Sequence, residues 1–97
     1  MARVYIIYSA SLDSYYVGFT TESVSIRVSR HNEDYYENKY TGNGKPWQLF
    51  LEIACTSERQ ARLIEQHIKS MKSRKYFENL AKYEDMRNKL VLRFADS

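Results

Sequence analysis

The first twenty residues have the pattern of two neighbouring β-strands. Residues 4–8 and 15–20 are runs rich in β-branched and aromatic side chains, which are typical of strands. Residues 11–14 between them have turn-forming side chains, and so short a connection favours an antiparallel hairpin. Alternation along the second strand places Tyr16 and Gly18 on the same face. Because Gly18 has no side chain, we expect another backbone or a ligand to come close there.

The next segment has the apolar spacing of a helix. Residues 22–32 are predicted to be helical, with Val24 and Val28 facing the core. Arg27 and His31 are four residues apart, so they lie on one face of that helix, one turn from each other. A basic side chain and a titratable one are therefore predicted to be neighbours.

Two further regions follow, a loop and a third strand. Residues 33–46 are predicted to form a loop, because their last six residues are rich in glycine, asparagine and proline. Residues 47–54 are predicted to form a strand, in which Leu49, Leu51 and Ile53 share one face.

The C-terminal half is predicted to be mainly helical. Ser57 followed by Gln60 has the form of a capping box at the start of a helix. Ser73 is predicted to cap another helix, and the apolar residues 90–94 form either a last strand or the end of that helix. The helix after Ser57 carries an apolar stripe that consists of Ala61, Ile64, Ile68 and Met71.

This order of elements predicts an α+β fold in which a small three-stranded antiparallel sheet is flanked by helices. The chain has 97 residues, which is enough for one small domain and not for two. We therefore expect a single domain over residues 1–97.

Composition and charge limit the classes of function. Nine tyrosines are an unusual number, and both an enzyme and a nucleic-acid binder could use their hydroxyls. The net charge of +3 permits an anionic partner without requiring one. The single cysteine, Cys55, excludes an intrachain disulfide. No apolar run approaches the about 18 residues of a membrane helix, and no signal peptide is apparent, so we expect a cytoplasmic protein without a membrane partner.

Five short elements occur in a fixed order along the chain. Together they resemble the GIY-YIG nuclease superfamily, in particular small single-domain members related to the catalytic N-terminal domain of the excision-repair nuclease. The resemblance covers about residues 4–72. The elements are Arg3-Val4-Tyr5, then after ten residues Tyr16-Val17-Gly18, then Arg27 with His31-Asn32, then Lys39-Tyr40-Thr41, and finally Ala61 to Glu65 with Ile68-Lys69.

The chain departs from the family pattern at two places. Arg3 stands where the first tripeptide has its glycine, which small members often lack. Phe19 and Thr20 stand where some relatives have a lysine, so any role of that lysine is absent here or supplied by another residue.

The resemblance implies a metal-dependent endonuclease that hydrolyses DNA phosphodiester bonds in repair, recombination or the processing of structured DNA. It implies that Glu65 anchors a single divalent cation, Mg²⁺ or Mn²⁺, whose other ligands are water and phosphate oxygens. It also implies that Arg27 contacts the scissile phosphate, since a guanidinium stays charged and offers several donors. From the residues alone, Glu65 and Arg27 are more simply interpreted as ordinary surface side chains.

Three further residues complete the implied catalytic set. Tyr5 would activate the attacking water or relay its proton, and His31, which titrates near neutrality, could be the actual base. The sequence does not separate these two possibilities. Tyr16 would position the water or donate a hydrogen bond to the phosphate.

The partner is expected to be DNA, with a homodimer or a second protein supplying specificity. The alternative is a catalytically inactive nucleic-acid-binding or interaction module on the same scaffold, and an RNA-binding α+β domain with stacking aromatics is a weaker third hypothesis. The predicted nucleic-acid-binding residues are Lys39, Tyr40, Lys45, Lys69 and Lys72.

Overall fold

A three-stranded antiparallel sheet forms the centre of the molecule. The computed structural model describes residues 2–33 and 44–95. The strands are β1 (Ala2–Ser9), β2 (Ser14–Thr20) and β3 (Trp47–Cys55), and β1 lies between the other two. β1 and β2 are consecutive and antiparallel, as the hairpin prediction requires. The predicted fold class is confirmed.

Four helices are found in the described part of the chain. The longest has 14 residues, and among the described residues no helix is long and apolar enough to span a membrane. Residues 90–93 form the end of a helix, so the predicted alternative of a last strand is wrong, but this helix is separate from the one that begins after Ser73. Tyr83 has extended backbone angles and separates two helices, and Arg87 of the later helix donates to the carbonyl oxygen of Leu80 in the earlier one. The helices are α1 (Val24–Asn32), α2 (Glu58–Met71), α3 (Arg74–Lys82) and α4 (Glu84–Arg93).

The two faces of the sheet pack against different helices. The first face is covered by α2, α3 and α4, which contribute Ile64, Ile68, Leu80 and Leu90 to a core with residues of all three strands. The second face is covered by α1, in a smaller cluster. Met71 is 42% exposed, so the stripe predicted for α2 ends one turn earlier. The residues of the smaller cluster are Tyr5, Ile7, Val24 and Trp47, with Tyr16 and Val28 packed against them.

An irregularity in β3 overturns part of the predicted alternation. Ile6 pairs with Leu51, whereas the next residue, Ile7, pairs with Leu49, so Phe50 is an extra residue in its strand. Phe50 therefore turns toward the first core. Leu49 is 47% exposed whereas Ile53 is buried, so the two residues do not share one face as the alternation predicted.

The start of α2 is fixed by side-chain hydrogen bonds. The Ser57 hydroxyl oxygen accepts from the backbone N–H of Gln60 at 3.1 Å, which confirms the predicted cap. The Gln60 side chain accepts from the backbone N–H of Thr56 and donates to the carbonyl oxygen of Val91 in α4. Because Gln60 is fully buried, these bonds also satisfy its polar atoms. The helix that carries Glu65 is thus held at its first turn.

The hairpin turn is fastened to the start of α3. Asp13 has a left-handed backbone (φ 49°), and its carboxylate accepts from both terminal nitrogens of Arg74, at 2.7 and 3.0 Å. The Tyr8 hydroxyl donates to the same carboxylate at 2.6 Å. The hydrogen bonds from Arg74 hold the pKa of Asp13 at about 2, well below its usual range. This contact stabilises the connection between the first two strands.

Candidate active site

A cleft of about 310 Å³ lies along β2, where α1 and α2 both contribute side chains. Four of the residues predicted to be catalytic or metal-binding, namely Tyr5, Tyr16, Arg27 and Glu65, line it, although they come from four different elements. The structure therefore brings together positions up to 60 residues apart in the chain. The lining residues are Tyr5, Tyr16, Gly18, Phe19, Thr20, Thr21, Arg27, Glu58 and Glu65.

Tyr5 is held in place by the strand pairing with Gly18. The two residues lie opposite each other in the hairpin, and Tyr5 is fully buried. A methyl group added at Gly18 would lie 2.6 Å from the hydroxyl oxygen of Tyr5 and 2.7 Å from its ring carbon Cζ. The group that comes close at Gly18 is thus the Tyr5 side chain, and not the backbone or ligand that was predicted, and a larger residue at Gly18 would displace it.

Replacing Gly18 with alanine is expected to push the Tyr5 hydroxyl out of position. The resemblance implies a catalytic role for Tyr5 in DNA cleavage. A displacement of about 1 Å at a reacting group costs on the order of 100-fold in rate, so in that role we expect cleavage to fall by about 10- to 100-fold. The measurement is the single-turnover cleavage rate, alongside the thermal unfolding midpoint. Wild-type cleavage by a normally folded Gly18→Ala protein would contradict this assignment.

His31 is a buried neighbour of Tyr5. It lies in the last turn of α1, is only 2% exposed, and its Nε2 atom is 3.0 Å from the hydroxyl oxygen of Tyr5. Burial, with a further effect of the Arg27 charge, lowers the pKa of His31 to about 4. The imidazole is therefore neutral near pH 7, and in the tautomer whose Nε2 lacks a proton it accepts a hydrogen bond from the phenol.

Arg27 lines the cleft one helical turn before His31. The carbon atom of its guanidinium lies 5.8 Å from the centroid of the Tyr5 ring. Such a contact with an aromatic face is favourable for a cation and helps to fix the side chain. An anion in the cleft would thus meet a permanent positive charge close to the Tyr5–His31 pair.

Glu65 supplies a carboxylate to the same cleft from α2. Its side chain is 14% exposed, and its Oε2 atom lies 3.6 Å from the ammonium nitrogen of Lys69. The other polar groups of the cleft wall are largely oxygen donors, namely the Glu58 carboxylate and the hydroxyls of tyrosine and threonine side chains. Mg²⁺ binds through one or two carboxylates and otherwise keeps its waters. This donor set fits a hard divalent cation.

Glu58 was not among the residues singled out from the sequence, although it lines the same cleft. It precedes Glu65 by seven residues, which is two helical turns, so both carboxylates lie on one face of α2. The spacing of seven residues between the two glutamates was the feature of the sequence from which Glu58 could have been identified. Thr20 and Thr21 were missed as well, because a threonine at a strand end has no distinctive pattern.

Asn32 positions the end of α1. Its side-chain amide donates to the carbonyl oxygen of Trp47 at 3.0 Å and accepts from the N–H of the same residue at 2.6 Å. Two hydrogen bonds to one backbone unit fix the start of β3 against the helix that carries His31. Asn32 belongs to the motif identified in the sequence, but its pairing partner could not be inferred from the motif.

The predicted nucleic-acid-binding residues are not all near the cleft. Lys39 and Tyr40 lie outside the described residues. Lys69 is half-exposed beside Glu65. Lys72 lines a separate groove of about 280 Å³ with the hairpin turn and the start of α3, and Lys45 is partly buried just before β3.

Comparison with known families agrees with this geometry. The model of the GIY-YIG catalytic domain matches residues 1–79. The chain belongs to the GIY-YIG family. GIY-YIG domains are a nuclease type, generally endonucleases that act on DNA with a divalent metal. The resemblance inferred from the five sequence elements is confirmed.

The matched region contains every residue that lines the cleft. The helix α4 follows it and contributes Leu90 to the larger core. The comparisons with curated proteins and with solved structures gave no match.

Proposed function

We propose that this GIY-YIG protein is a divalent-cation-dependent endonuclease that hydrolyses DNA phosphodiester bonds, in repair, recombination or the processing of structured DNA. The observation that carries the proposal is the arrangement of one cleft. A phenol hydrogen-bonded to a neutral imidazole, an arginine and a partly buried carboxylate line or adjoin it. Phosphodiester hydrolysis needs these three functions, namely proton removal, anion binding and an anchor for a cation.

The proton path follows from the Tyr5–His31 contact. The Tyr5 hydroxyl gives its proton to Nε2 of His31 as its oxygen takes a proton from the attacking water. The water oxygen forms a bond to phosphorus and the bond from phosphorus to the leaving oxygen breaks. The products are a phosphomonoester and an alkoxide, which takes a proton from solvent to become a hydroxyl end. His31 holds the transferred proton and later releases it to solvent. In this scheme His31 is the base and Tyr5 is the relay.

In this proposal Arg27 binds the negative charge of the phosphate and Glu65 binds the cation. Arg27 binds the non-bridging phosphate oxygens, which gain negative charge as the water attacks. Glu65 would hold the Mg²⁺ or Mn²⁺ ion, with water and phosphate oxygens as its other ligands, and Glu58 lines the same cleft. When bound, such an ion supplies Lewis-acid stabilisation of the extra negative charge and of the leaving oxygen. Tyr16 stands beside His31, with ring centroids 5.1 Å apart, and would hydrogen-bond the phosphate or the water.

The test is cleavage of a labelled DNA panel by the purified protein. Duplex, single-stranded, flap and branched DNA are each incubated with Mg²⁺, with Mn²⁺ or with a chelator, and an RNA panel runs in parallel. We expect products with either cation and none with the chelator, and the DNA that is cut identifies the substrate class. DNA binding without product under every condition would overturn the proposal in favour of a non-catalytic binding module.

A further inference from the structure

Lys69 contacts two residues of the cleft at once. Its ammonium nitrogen lies 3.6 Å from the Oε2 atom of Glu65 and 6.0 Å from the centroid of the Tyr16 ring. The three groups come from two elements, since Lys69 and Glu65 are one turn apart on α2 and Tyr16 lies in β2. The ammonium therefore lies close to the carboxylate assigned to the cation and to a proposed catalytic tyrosine.

In the absence of a cation, the surroundings of Glu65 explain why its carboxylate pairs with Lys69. The Glu65 side chain is 14% exposed, and a neighbouring positive charge stabilises a carboxylate that is partly shielded from water. The order of glutamate before lysine, four residues apart on a helix, is the favourable one. Lys69 is 50% exposed, so its ammonium can leave the carboxylate and enter solvent at little cost.

A divalent cation bound by Glu65 would be repelled by an ammonium at the same carboxylate. We propose that Lys69 is a resident counter-ion of Glu65 that the cation must displace, so that Lys69 sets the affinity of the cleft for the cation. This inference rests on the proposed function, because it assumes that Glu65 holds the cation.

The same displacement links cation binding to DNA binding. A lysine that leaves Glu65 stays at the rim of the cleft, where it is available to a phosphate of the DNA backbone. Conversely, a phosphate that attracts Lys69 releases the carboxylate for the cation. By thermodynamic linkage each ligand then strengthens the binding of the other by the same factor.

The experiment measures Mn²⁺ binding to the intact protein without DNA, from the electron paramagnetic resonance signal of free Mn²⁺. Lys69→Met removes the charge and keeps the length of the side chain, and we expect about three- to fivefold tighter binding, the range set by a partly exposed ion pair. Lys69→Arg keeps the charge and should bind Mn²⁺ like the wild type. Lys89→Met is the matched control, since it loses the same charge from α4, which does not line the cleft.

Each outcome has a separate meaning. Tighter binding by Lys69→Met alone supports the inference, and equal affinity of the two methionine variants overturns it, as does weaker binding by Lys69→Met. A wild-type protein that binds no Mn²⁺, or binds it as well as Glu65→Gln does, would instead remove the cation site itself. In chelator, Lys69→Met should bind DNA more weakly than Lys89→Met, and equal DNA affinity would overturn the proposed link between the two ligands.

Discussion

Replacing Glu65 with glutamine is expected to lower metal-dependent DNA cleavage by about 10²- to 10⁴-fold, because a bound cation contributes several kcal/mol to the transition state and each 1.36 kcal/mol is a factor of ten. Glutamine has nearly the same shape and helix propensity as glutamate but lacks the negative charge that binds a hard cation. The measurement is the single-turnover rate at saturating DNA over a series of Mg²⁺ and Mn²⁺ concentrations.

The fold should survive this change. Glu65 pairs with Lys69, which is half-exposed, and such pairs contribute about 0.2–1 kcal/mol to stability. The apolar residues on either side of Glu65 in α2, Ile64 and Ile68, remain fully buried in the larger core. A thermal unfolding midpoint close to the wild-type value would therefore separate a loss of chemistry from a loss of structure.

Glu58→Gln is the matched variant, because it makes the same chemical change on the same face of α2 and in the same cleft. Glu58 is exposed in the first turn of the helix, so we expect a loss of less than about tenfold from this variant. A larger loss from Glu58→Gln than from Glu65→Gln would transfer the role of the cation anchor to Glu58. Cleavage that survives both changes would contradict a cation site on this helix.

Local pattern was sufficient for the elements that frame the cleft. The hairpin follows from two β-rich runs with a short turn between them, and the cap at Ser57 follows from a spacing of three residues. The position of Arg27 one turn before His31 follows from helical geometry alone. These features depend on residues close in sequence, so a pattern along the chain determines them.

The features that were missed depend on contacts between distant segments. Phe50 is an extra residue only with respect to the pairing of β3 with β1, whose residues lie more than forty positions earlier in the chain. The break at Tyr83 is stabilised by Arg87, which reaches back to the end of the preceding helix. A periodic pattern contains no information on such partners. The interpretation of residues 90–94 therefore stayed open between strand and helix.

The candidate active site likewise has features that the sequence predicts and features that only the structure shows. The family resemblance identified Glu65 as a residue of interest but could not show that Lys69 contacts its carboxylate. It left open whether Tyr5 or His31 is the base, since both lie in the identified motifs. The structure places Nε2 of His31 3.0 Å from the Tyr5 hydroxyl oxygen, and burial keeps the imidazole neutral, so it is able to accept a proton from the phenol.

The Tyr5–His31 pair is expected to act as a unit. Tyr5→Phe removes the hydroxyl, and His31→Gln keeps a hydrogen-bonding group beside it without a basic nitrogen. Each change should lower the single-turnover rate by about 10²- to 10⁴-fold, the usual contribution of positioned acid–base groups. Combining them should cost little more than either alone, because groups that act together are not additive. Two losses that multiply in the double variant would show that the residues act independently.

The pH at which His31 titrates is an independent test of its proposed role as the base. Its pKa of about 4 lies below the usual 6.5, so the neutral, basic form is fully present above about pH 5 and is lost as the pH falls through 4. Protonation of His31 should therefore cause no decrease in the cleavage rate between pH 7.5 and 5.5. Over this range the pH profiles of the wild type and of His31→Gln should have the same shape. Arg27→Met should raise the imidazole pKa measured by NMR, but only in part, because burial is the larger cause. An imidazole that titrates near 6.5 in the wild type would contradict the desolvated, neutral state that burial gives His31.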